Sequence, residues 1–364
     1  MDNSSLKENM KSLWKETFRD SSEYVDLIFD NYFNPDRVAF VEENGEVKSA
    51  LLGVPYTFLS GSGTKLKGMY LCGLATKKES RRKGMMTGLL EQMNRKAKDS
   101  GFDFTFLIPA GEGVRRYYRD RGYHDAFFLK NEYYVRGHDF KSTVEISLTQ
   151  PDGRLDDFLN TIGNRPYAKP NAFNMLHSEN DWRAVLKEAV ISNLPVFAGE
   201  YDGKICAVGF MEKMEREVRI KKLIASEPRF ENAFLKRISE EFPEHNITLV
   251  KDLESVVENG AESQLWAPFY AQSNGARAEY EDVAVVEQPF NETLNSYSLG
   301  MVNIFDIKEL LIKTGYDKIE ELSNYTEDEV RKLVLRKPVG DKADALEKIL
   351  DLPEISLSMA LLLE

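Results

Sequence analysis

The sequence predicts an α/β (α+β) fold with mixed sheets, in which one arrangement of helices and strands occurs twice. Apolar residues at helical spacing alternate with short runs rich in valine, isoleucine and aromatic residues. The order of these elements over residues 1–135 recurs over residues 136–288, although the residues themselves differ. A chain of 364 residues with 42% hydrophobic content has room for two or three domains with large cores.

The first copy has the pattern of a sheet with covering helices. Asn44-Gly45 separates two strand patterns and favours a tight hairpin turn. The predicted elements are helices at 6–18 and 22–32, strands at 37–43, 46–59 and 67–76, a helix at 84–99, a strand at 102–110, a short helix at 113–120 and a strand at 127–135. Hairpin and helical connections occur together, so the sheet should have both antiparallel and parallel neighbours.

The second copy follows the same order but differs in one loop. Its predicted elements are helices at 155–162 and 182–192, strands at 195–201, 204–214 and 216–225, a helix at 230–242 and a strand at 246–251. Its third strand is followed by "SEPRFENAF", which has no glycine or basic triplet, so we expect this copy not to bind the anion of the first. Residues 289–364 form a smaller, mainly helical region with an apolar end that should be buried.

The overall composition excludes two classes of partner. A net charge of −12 argues against nucleic acid, because phosphate backbones require a basic face. Apolar runs are shorter than the ~18 residues of a membrane span, and the N-terminus is polar before it is apolar. We therefore expect no membrane partner and a cytoplasmic location.

The sequence shows no pattern of a metal or disulfide site. Cys72 and Cys206 lie far apart in apolar segments, where cysteine is usually a small packing residue. The histidines lack the HxH and HExxH spacings of metal sites; they are His124, His138, His177 and His245. We expect no bound metal.

A basic loop, "KKESRRK", precedes the helix predicted at 84–99. Five of its seven residues, 77–83, are lysine or arginine, and Gly84 follows. A helix N-terminus presents unpaired N–H groups and the positive end of the peptide dipoles, so this arrangement predicts an anion site. The alternative is a solvated basic loop. The setting between two strands favours a phosphate site, which also explains local positive charge in an acidic protein.

The segment "GLATKKESRRKGMMTGLL" resembles the acyl-CoA loop of the GCN5-related N-acetyltransferases (GNAT). The signature positions are Arg81, Gly84 and Met86, and Met86 stands where the family prefers a small residue. Together with "PAGEGVRRYYRDRGY", the chain is most similar to the Eis-like (enhanced intracellular survival) branch. The specific motifs cover residues 69–123.

The resemblance implies three domains: a catalytic GNAT domain at 1–135, a second GNAT-like domain without the phosphate loop at 136–288, and a small, reduced sterol-carrier-like domain at 289–364. Acetyl-CoA is the implied cosubstrate. Its pantetheine arm would pair with one strand end, and its pyrophosphate would lie on the loop and helix amides. The implied cofactor-binding residues are Leu74, Ala75, Thr76, Arg81, Arg82, Lys83, Gly84, Met85, Met86 and Thr87.

Moving an acetyl group from a thioester to an amine requires a neutral amine, stabilisation of the carbonyl oxygen and a proton for the departing thiolate. Backbone N–H groups near Leu74 could polarise the carbonyl, provided that this strand separates from "FDFTFLIPA". The resemblance assigns the proton donor to Tyr118. The alternative is that Tyr117, Tyr118 and Tyr123 only pack, and that Arg116 and Arg119 form ion pairs or contact CoA.

The base has two candidates. In the Eis-like branch the terminal carboxylate enters the active site, which places this role on Glu364. Burial in an apolar pocket would raise the pKa of that carboxylate and improve it as a base. The other candidate is Glu112, for which helix capping is the alternative role. Direct attack needs no covalent intermediate, so Cys72 is expected to be a packing residue.

These observations predict an N-acetyltransferase that acts on a primary amine of a small molecule or peptide. Aminoglycosides, polyamines and lysine side chains are all possible acceptors. The protein could also form a homo-oligomer. One alternative is a non-catalytic acyl-CoA-binding sensor, against which Tyr118 argues. A second alternative is a lipid-carrier or assembly protein in which residues 289–364 carry the function.

Overall fold

The computed structural model describes residues 1–149, 157, 172–252, 296–327, 330, 334 and 356–358. The helices are α1 (Asn3–Phe18), α2 (Ser22–Tyr32), α3 (Met85–Asp99), α4 (Glu112–Arg119), α5 (Glu179–Ile191), α6 (Pro228–Glu241) and α7 (Ile307–Lys313). The strands are β1 (Val38–Glu43), β2 (Glu46–Ser60), β3 (Lys65–Thr76), β4 (Phe104–Leu107), β5 (His124–Tyr134), β6 (Ser147–Thr149), β7 (Ala172–Leu176), β8 (Val196–Tyr201), β9 (Lys204–Lys213), β10 (Glu217–Ala225), β11 (Asn246–Asp252), β12 (Ser296–Ile304) and β13 (Ser356–Ser358). Most helices and strands predicted on these residues are present, with ends shifted by a few positions.

The chain divides into two compact units. The first contains Met1–Phe127, Pro166–Ile191 and Ser298–Glu364, and the second contains Phe128–Arg165 and Ser192–Tyr297. The predicted boundaries near residues 135 and 288 follow the repeat in the sequence, and they stay a prediction. Most residues of the helix predicted at 155–162 lie outside the described residues, as do most residues after 327 in the region predicted to be mainly helical.

The first unit has a mixed sheet with the strand order β13-β7-β2-β3-β4-β12, and β1 pairs with β2. The pairs β3–β4 and β13–β7 are parallel, whereas β1–β2, β2–β3, β2–β7 and β4–β12 are antiparallel. The mixed α/β fold predicted from the sequence is therefore confirmed. One of these strands, β12, comes from the region predicted to form a separate C-terminal domain.

Strands β3 and β4 run together for only a short distance. Their register pairs Gly68 with Phe104 and ends at Tyr70 with Phe106. On its other edge β3 stays paired with β2 as far as Thr76. Within the described residues, the stretch 71–76 of β3 therefore has a strand neighbour on one side only, and its other edge is open.

The two faces of this sheet carry different side chains, because successive residues of a strand point to opposite sides. Met69 and Leu71 pack on the face covered by α3, in a core with Leu89, Leu90 and Met93. On the opposite face lie aromatic side chains that contact one another; these are Tyr56, Phe58, Tyr70, Phe104, Phe106 and Phe127. Below, we call the two sides the α3 face and the aromatic face.

The second unit has the strand order β5-β11-β10-β9-β8-β6. Strands β10 and β11 are parallel and are connected by α6, whereas the pairs β5–β11, β9–β10, β8–β9 and β6–β8 are antiparallel. Phe234 and Ile238 of α6 are buried in its core. Glu227 precedes α6, and its carboxylate lies 3.0 Å from Arg229 Nε. The N-terminus of α6 therefore already has a negative charge beside it.

No helix in the described ranges combines the length and the apolar character that crossing a bilayer requires.

Candidate functional site

The basic loop folds into a tight turn that exposes the start of α3. Arg82 has φ 64° and Gly84 has φ 77°, both in the left-handed region, and glycine adopts that region without strain. Helix α3 begins at Met85 with no side-chain cap and no acidic residue in its first turn. Its first N–H groups are therefore available for an anion.

A cleft of about 500 Å³ lies at this helix start, within the first unit. Its lining residues are Thr17, Leu74, Thr76, Ser80, Arg81, Arg82, Gly84, Met85, Met86, Thr87, Tyr117 and Arg121. Eight of the ten predicted cofactor-binding residues are among them. The two others are Ala75, which is buried, and Lys83, which is exposed outside the lining.

The cleft is positively charged although the protein is acidic. Arg81, Arg82 and Arg121 line it, and none of them has a carboxylate partner in the described part of the chain. Arg81 Nε donates to the Thr76 backbone oxygen at 3.0 Å, which ties the loop to the end of β3. Uncompensated arginines beside open helix amides favour binding of a phosphate group.

A cluster at the first turn of α3 was not predicted from the sequence. Arg121 Nη2 donates to Thr87 Oγ1 at 2.9 Å, and Arg121 Nη1 donates to the Tyr117 backbone oxygen at 2.6 Å. Its guanidinium carbon lies 3.5 Å from the centre of the Tyr117 ring, a cation–π contact. The four-residue spacing of Tyr117 and Arg121 at the end of a helix is the signal that could have indicated this pair.

Tyr118 lies beside the cleft lining rather than in it. Its side chain is 6% exposed and packs in the core of the α3 face. Its ring lies between those of Tyr117 and Tyr123, at 5.4 Å and 5.7 Å. Burial raises the pKa of Tyr118 well above its usual range, so the phenol keeps its proton. The hydroxyl has no hydrogen-bond partner among the described residues.

The neighbouring polar residues have structural partners. The Tyr123 hydroxyl donates to Asn94 Oδ1 at 3.1 Å and lies 3.1 Å from Thr105 Oγ1. Arg119 Nη2 lies 2.9 Å from Asp125 Oδ2, so the ion-pair alternative predicted for Arg119 is confirmed. Glu364 lies outside the described residues, and the assignment of the base to it stays a prediction.

Gly73 allows α1 to pack on the end of β3. It has φ 60°, and a Cβ atom at this position would lie 2.2 Å from the Trp14 ring. Trp14 is held in place by a hydrogen bond from its Nε1 to Asp20 Oδ2 at 2.7 Å. The strand end that lines the cleft, at Leu74 and Thr76, therefore depends on this contact.

We expect Gly73→Ala to lower the free energy of unfolding by about 2–4 kcal/mol, because it combines a strained φ with a clash against a fixed ring. Gly88→Ala is the matched control, since Gly88 lies in α3 with open space around it and alanine favours a helix. Urea unfolding of both variants checks this. Equal stability of Gly73→Ala and the parent protein would contradict it.

The two cysteines are poor nucleophiles. Burial raises the pKa of the Cys72 thiol to about 12 and that of the Cys206 thiol to about 11. A thiol with such a pKa is almost wholly protonated at neutral pH, and the thiolate is the reactive form. This agrees with the predicted packing role of Cys72.

We expect both cysteines to react with iodoacetamide at pH 8 at least about 100-fold more slowly than a cysteine in a short peptide, because the thiolate fraction falls about tenfold per unit of pKa. The rate should rise with pH up to the raised pKa values. Mass spectrometry of the native protein measures it, with the urea-unfolded protein as control. Rapid modification of the native protein at pH 8 would show that the thiols are not protected.

The described residues contain no group of three histidine, cysteine, aspartate or glutamate side chains that could hold a metal ion.

Comparison with known proteins finds a family model that matches the part of the chain containing the cleft. Residues 3–126 match the family model of the acetyltransferase (GNAT) domain. Those residues include the loop, α3, β4 and α4, and thus all the lining of the cleft. A comparison with curated proteins found no match.

Solved structures share the fold over most of the chain. A probable N-acyltransferase of Enterococcus faecalis, otherwise of unknown function, has a TM-score of 0.60 at 12% identity, over 84% of this chain and 72% of its own. A GCN5-related N-acetyltransferase of Anabaena variabilis gives 0.58 at 12% identity, over 85% and 73%. Eis1 of Mycobacterium abscessus gives 0.57 at 11% identity, over 85% and 74%. The chain thus shares the fold of these structures, and its residues 3–126 match the model of the acetyltransferase (GNAT) domain.

Proposed function

We propose that this protein is an acetyl-CoA-dependent N-acetyltransferase that moves the acetyl group directly to a primary amine. The cleft at the start of α3 supports this proposal above all, because it joins three features in one place. These are the open helix amides, the arginines without carboxylate partners and the open edge of β3. The diphosphate of CoA suits the first two, and the amide groups of its pantetheine arm suit the third.

The reaction needs support for the carbonyl oxygen and for the sulfur. A backbone N–H near Leu74 on the open edge can donate to the thioester oxygen as negative charge develops there. The amine nitrogen then bonds to the carbonyl carbon and loses a proton to the proposed base, Glu364. The carbon–sulfur bond breaks, the sulfur takes the proton of Tyr118, and the tyrosinate regains a proton from solvent. Burial disfavours a thiolate as it disfavours a tyrosinate, so the raised pKa of Tyr118 does not prevent this transfer.

The proposed acceptor is a small molecule or peptide with a basic amine, such as an aminoglycoside, a polyamine or a lysine side chain. A net charge of −12 attracts cations in general. We also propose that residues 136–288 form a second GNAT-like domain. The succession of β8, β9, β10, α6 and β11 supports this, because it matches that of β1, β2, β3, α3 and β4.

Two measurements test the function. Titration calorimetry should detect binding of CoA, and a thiol-trapping assay should detect release of CoA from acetyl-CoA with at least one amine in a panel of small amines and lysine peptides. Binding without release for the whole panel would favour the sensor. Absence of binding would contradict both functions.

A further inference from the structure

Arg121 is held at the start of α3 by two other residues of the cleft lining. Its Nη2 and Nε atoms donate to Thr87 Oγ1 at 2.9 Å and 3.2 Å, and its Nη1 atom donates to the Tyr117 backbone oxygen at 2.6 Å. The guanidinium also stacks on the Tyr117 ring. These contacts fix the guanidinium in one orientation, so it loses little side-chain entropy when it binds a ligand.

The Arg121 guanidinium keeps unused donors and an unbalanced charge. Of its five N–H groups, the contacts above use three. Within the described ranges, the other two have no hydrogen-bond partner, and no carboxylate forms an ion pair with this residue. Arg121 is half-buried, and a half-buried charge without a counter-ion costs free energy that an anionic ligand recovers.

The open amides of α3 lie beside this guanidinium. The Gly88 N–H donates to the Gly84 oxygen at 3.1 Å, whereas the N–H groups of Met85, Met86 and Thr87 precede this first helical bond. Side chains of a helix tilt toward its N-terminus. The Thr87 hydroxyl, and Arg121 with it, therefore lie at the same end of α3 as the open N–H groups.

The arginines of the cleft come from two separate segments. Arg81 and Arg82 belong to the loop before α3, and Arg81 donates to the Thr76 backbone oxygen at the end of β3. Arg121 follows α4 and contacts Tyr117 of that helix, so it approaches the start of α3 from the side of α4. A ligand with two linked anionic groups can contact both segments at once.

We infer that Arg121 binds the second phosphate of the CoA diphosphate, the one joined to adenosine. It thereby favours acetyl-CoA over acetyl-4′-phosphopantetheine, which carries the same thioester on a single phosphate. The inference rests on the proposed acetyl-CoA-dependent function. The pantetheine arm leaves the open edge of β3 near Thr76, which puts the first phosphate beside Arg81 and Arg82. The second phosphate then reaches Arg121, whose planar fork suits phosphate oxygens.

The test compares three ligands by titration calorimetry: CoA, dephospho-CoA, which lacks only the 3′-phosphate, and 4′-phosphopantetheine, measured by displacement of CoA. We expect Arg121→Gln to weaken binding of CoA and of dephospho-CoA about 30-fold each, which is within the range for a hydrogen bond to a charged group. Binding of 4′-phosphopantetheine should weaken less than about threefold. Glutamine can still donate to Thr87 Oγ1, but it has no charge.

Two further variants separate phosphate binding from a structural role. Arg121→Lys keeps the charge but loses the fork that joins Thr87 to Tyr117, and we expect it to weaken CoA binding less than about fivefold. Arg95→Gln is the matched control, because it removes the same charge from an exposed position of α3 outside the cleft lining. It should leave the dissociation constants of all three ligands within about twofold of the parent values.

The parent protein alone gives an independent check. If Arg121 binds the second phosphate, the parent should prefer dephospho-CoA to 4′-phosphopantetheine by at least about 30-fold, and a smaller preference would contradict the inference.

Three results with Arg121→Gln would overturn the inference while the function stands. These are a loss of CoA affinity below about threefold, an equal loss for 4′-phosphopantetheine, which indicates structural damage, and a loss for CoA that dephospho-CoA does not share, which would assign Arg121 to the 3′-phosphate. If the parent protein binds none of the three ligands, the proposed function fails, and the inference fails with it.

Discussion

Tyr118→Phe is expected to lower kcat for acetyl transfer by about 100-fold or more, while the dissociation constant for CoA stays within about twofold of the parent value. In the proposed reaction this buried phenol beside the cleft is the proton donor, and removal of a general acid costs about 10²–10⁴ in rate. The ring contacts with Tyr117 and Tyr123 are kept by phenylalanine, so the fold should be undisturbed. Thiol release under saturating acetyl-CoA and calorimetry with CoA measure the two quantities.

Tyr117→Phe is the matched control, because Tyr117 is the adjacent phenol and lines the cleft. Its hydroxyl lies 3.1 Å from Thr87 Oγ1, so its loss should weaken CoA binding several-fold and leave kcat nearly unchanged. If Tyr117→Phe abolished turnover and Tyr118→Phe did not, the proton donor would be Tyr117.

Arg82→Glu is expected to weaken CoA binding by about 100-fold. A hydrogen bond to a charged group contributes about 1.5–3 kcal/mol, and the new carboxylate also repels phosphate at the N-terminus of α3. The residue keeps a positive φ whether it is arginine or glutamate, so backbone strain changes little. Calorimetry at low and high salt measures the effect, which should shrink as salt screens the charges.

Lys83→Glu removes the same charge from the next residue, which is exposed and outside the cleft lining. We expect it to weaken CoA binding less than about fivefold. Equal losses in Arg82→Glu and Lys83→Glu would mean that overall loop charge, and not the geometry of the cleft, controls binding.

The cleft was largely predictable because its main parts are local. A basic loop, Gly84 and an amphipathic helix follow one another in sequence. The end of the loop and the first residues of the helix, up to Thr87, line the cleft. The contribution of Arg121 and Tyr117 to the cleft was not predicted, because it depends on how α4 packs against α3. That approach is set by tertiary packing, which sequence periodicity does not report.

The pairing of β7 with β2 could not be predicted for a related reason. The segment that contains β7 has the element pattern of the second copy, and the sequence analysis assigned it there. In the structure, residues Pro166–Ile191 belong to the first unit, β7 pairs with β2, and α5 contacts α2. Pairing between strands more than a hundred residues apart leaves no short-range signal.

The pairing of β12 with β4 has a consequence for how the protein is made. Met301 lies opposite Leu107 and Ile304 opposite Phe104, so one edge of β4 has no partner until these late residues leave the ribosome. An open, apolar strand edge is a template for intermolecular association. The nascent chain must therefore keep that edge protected through most of translation, and a fragment that stops at residue 135 should aggregate when produced alone.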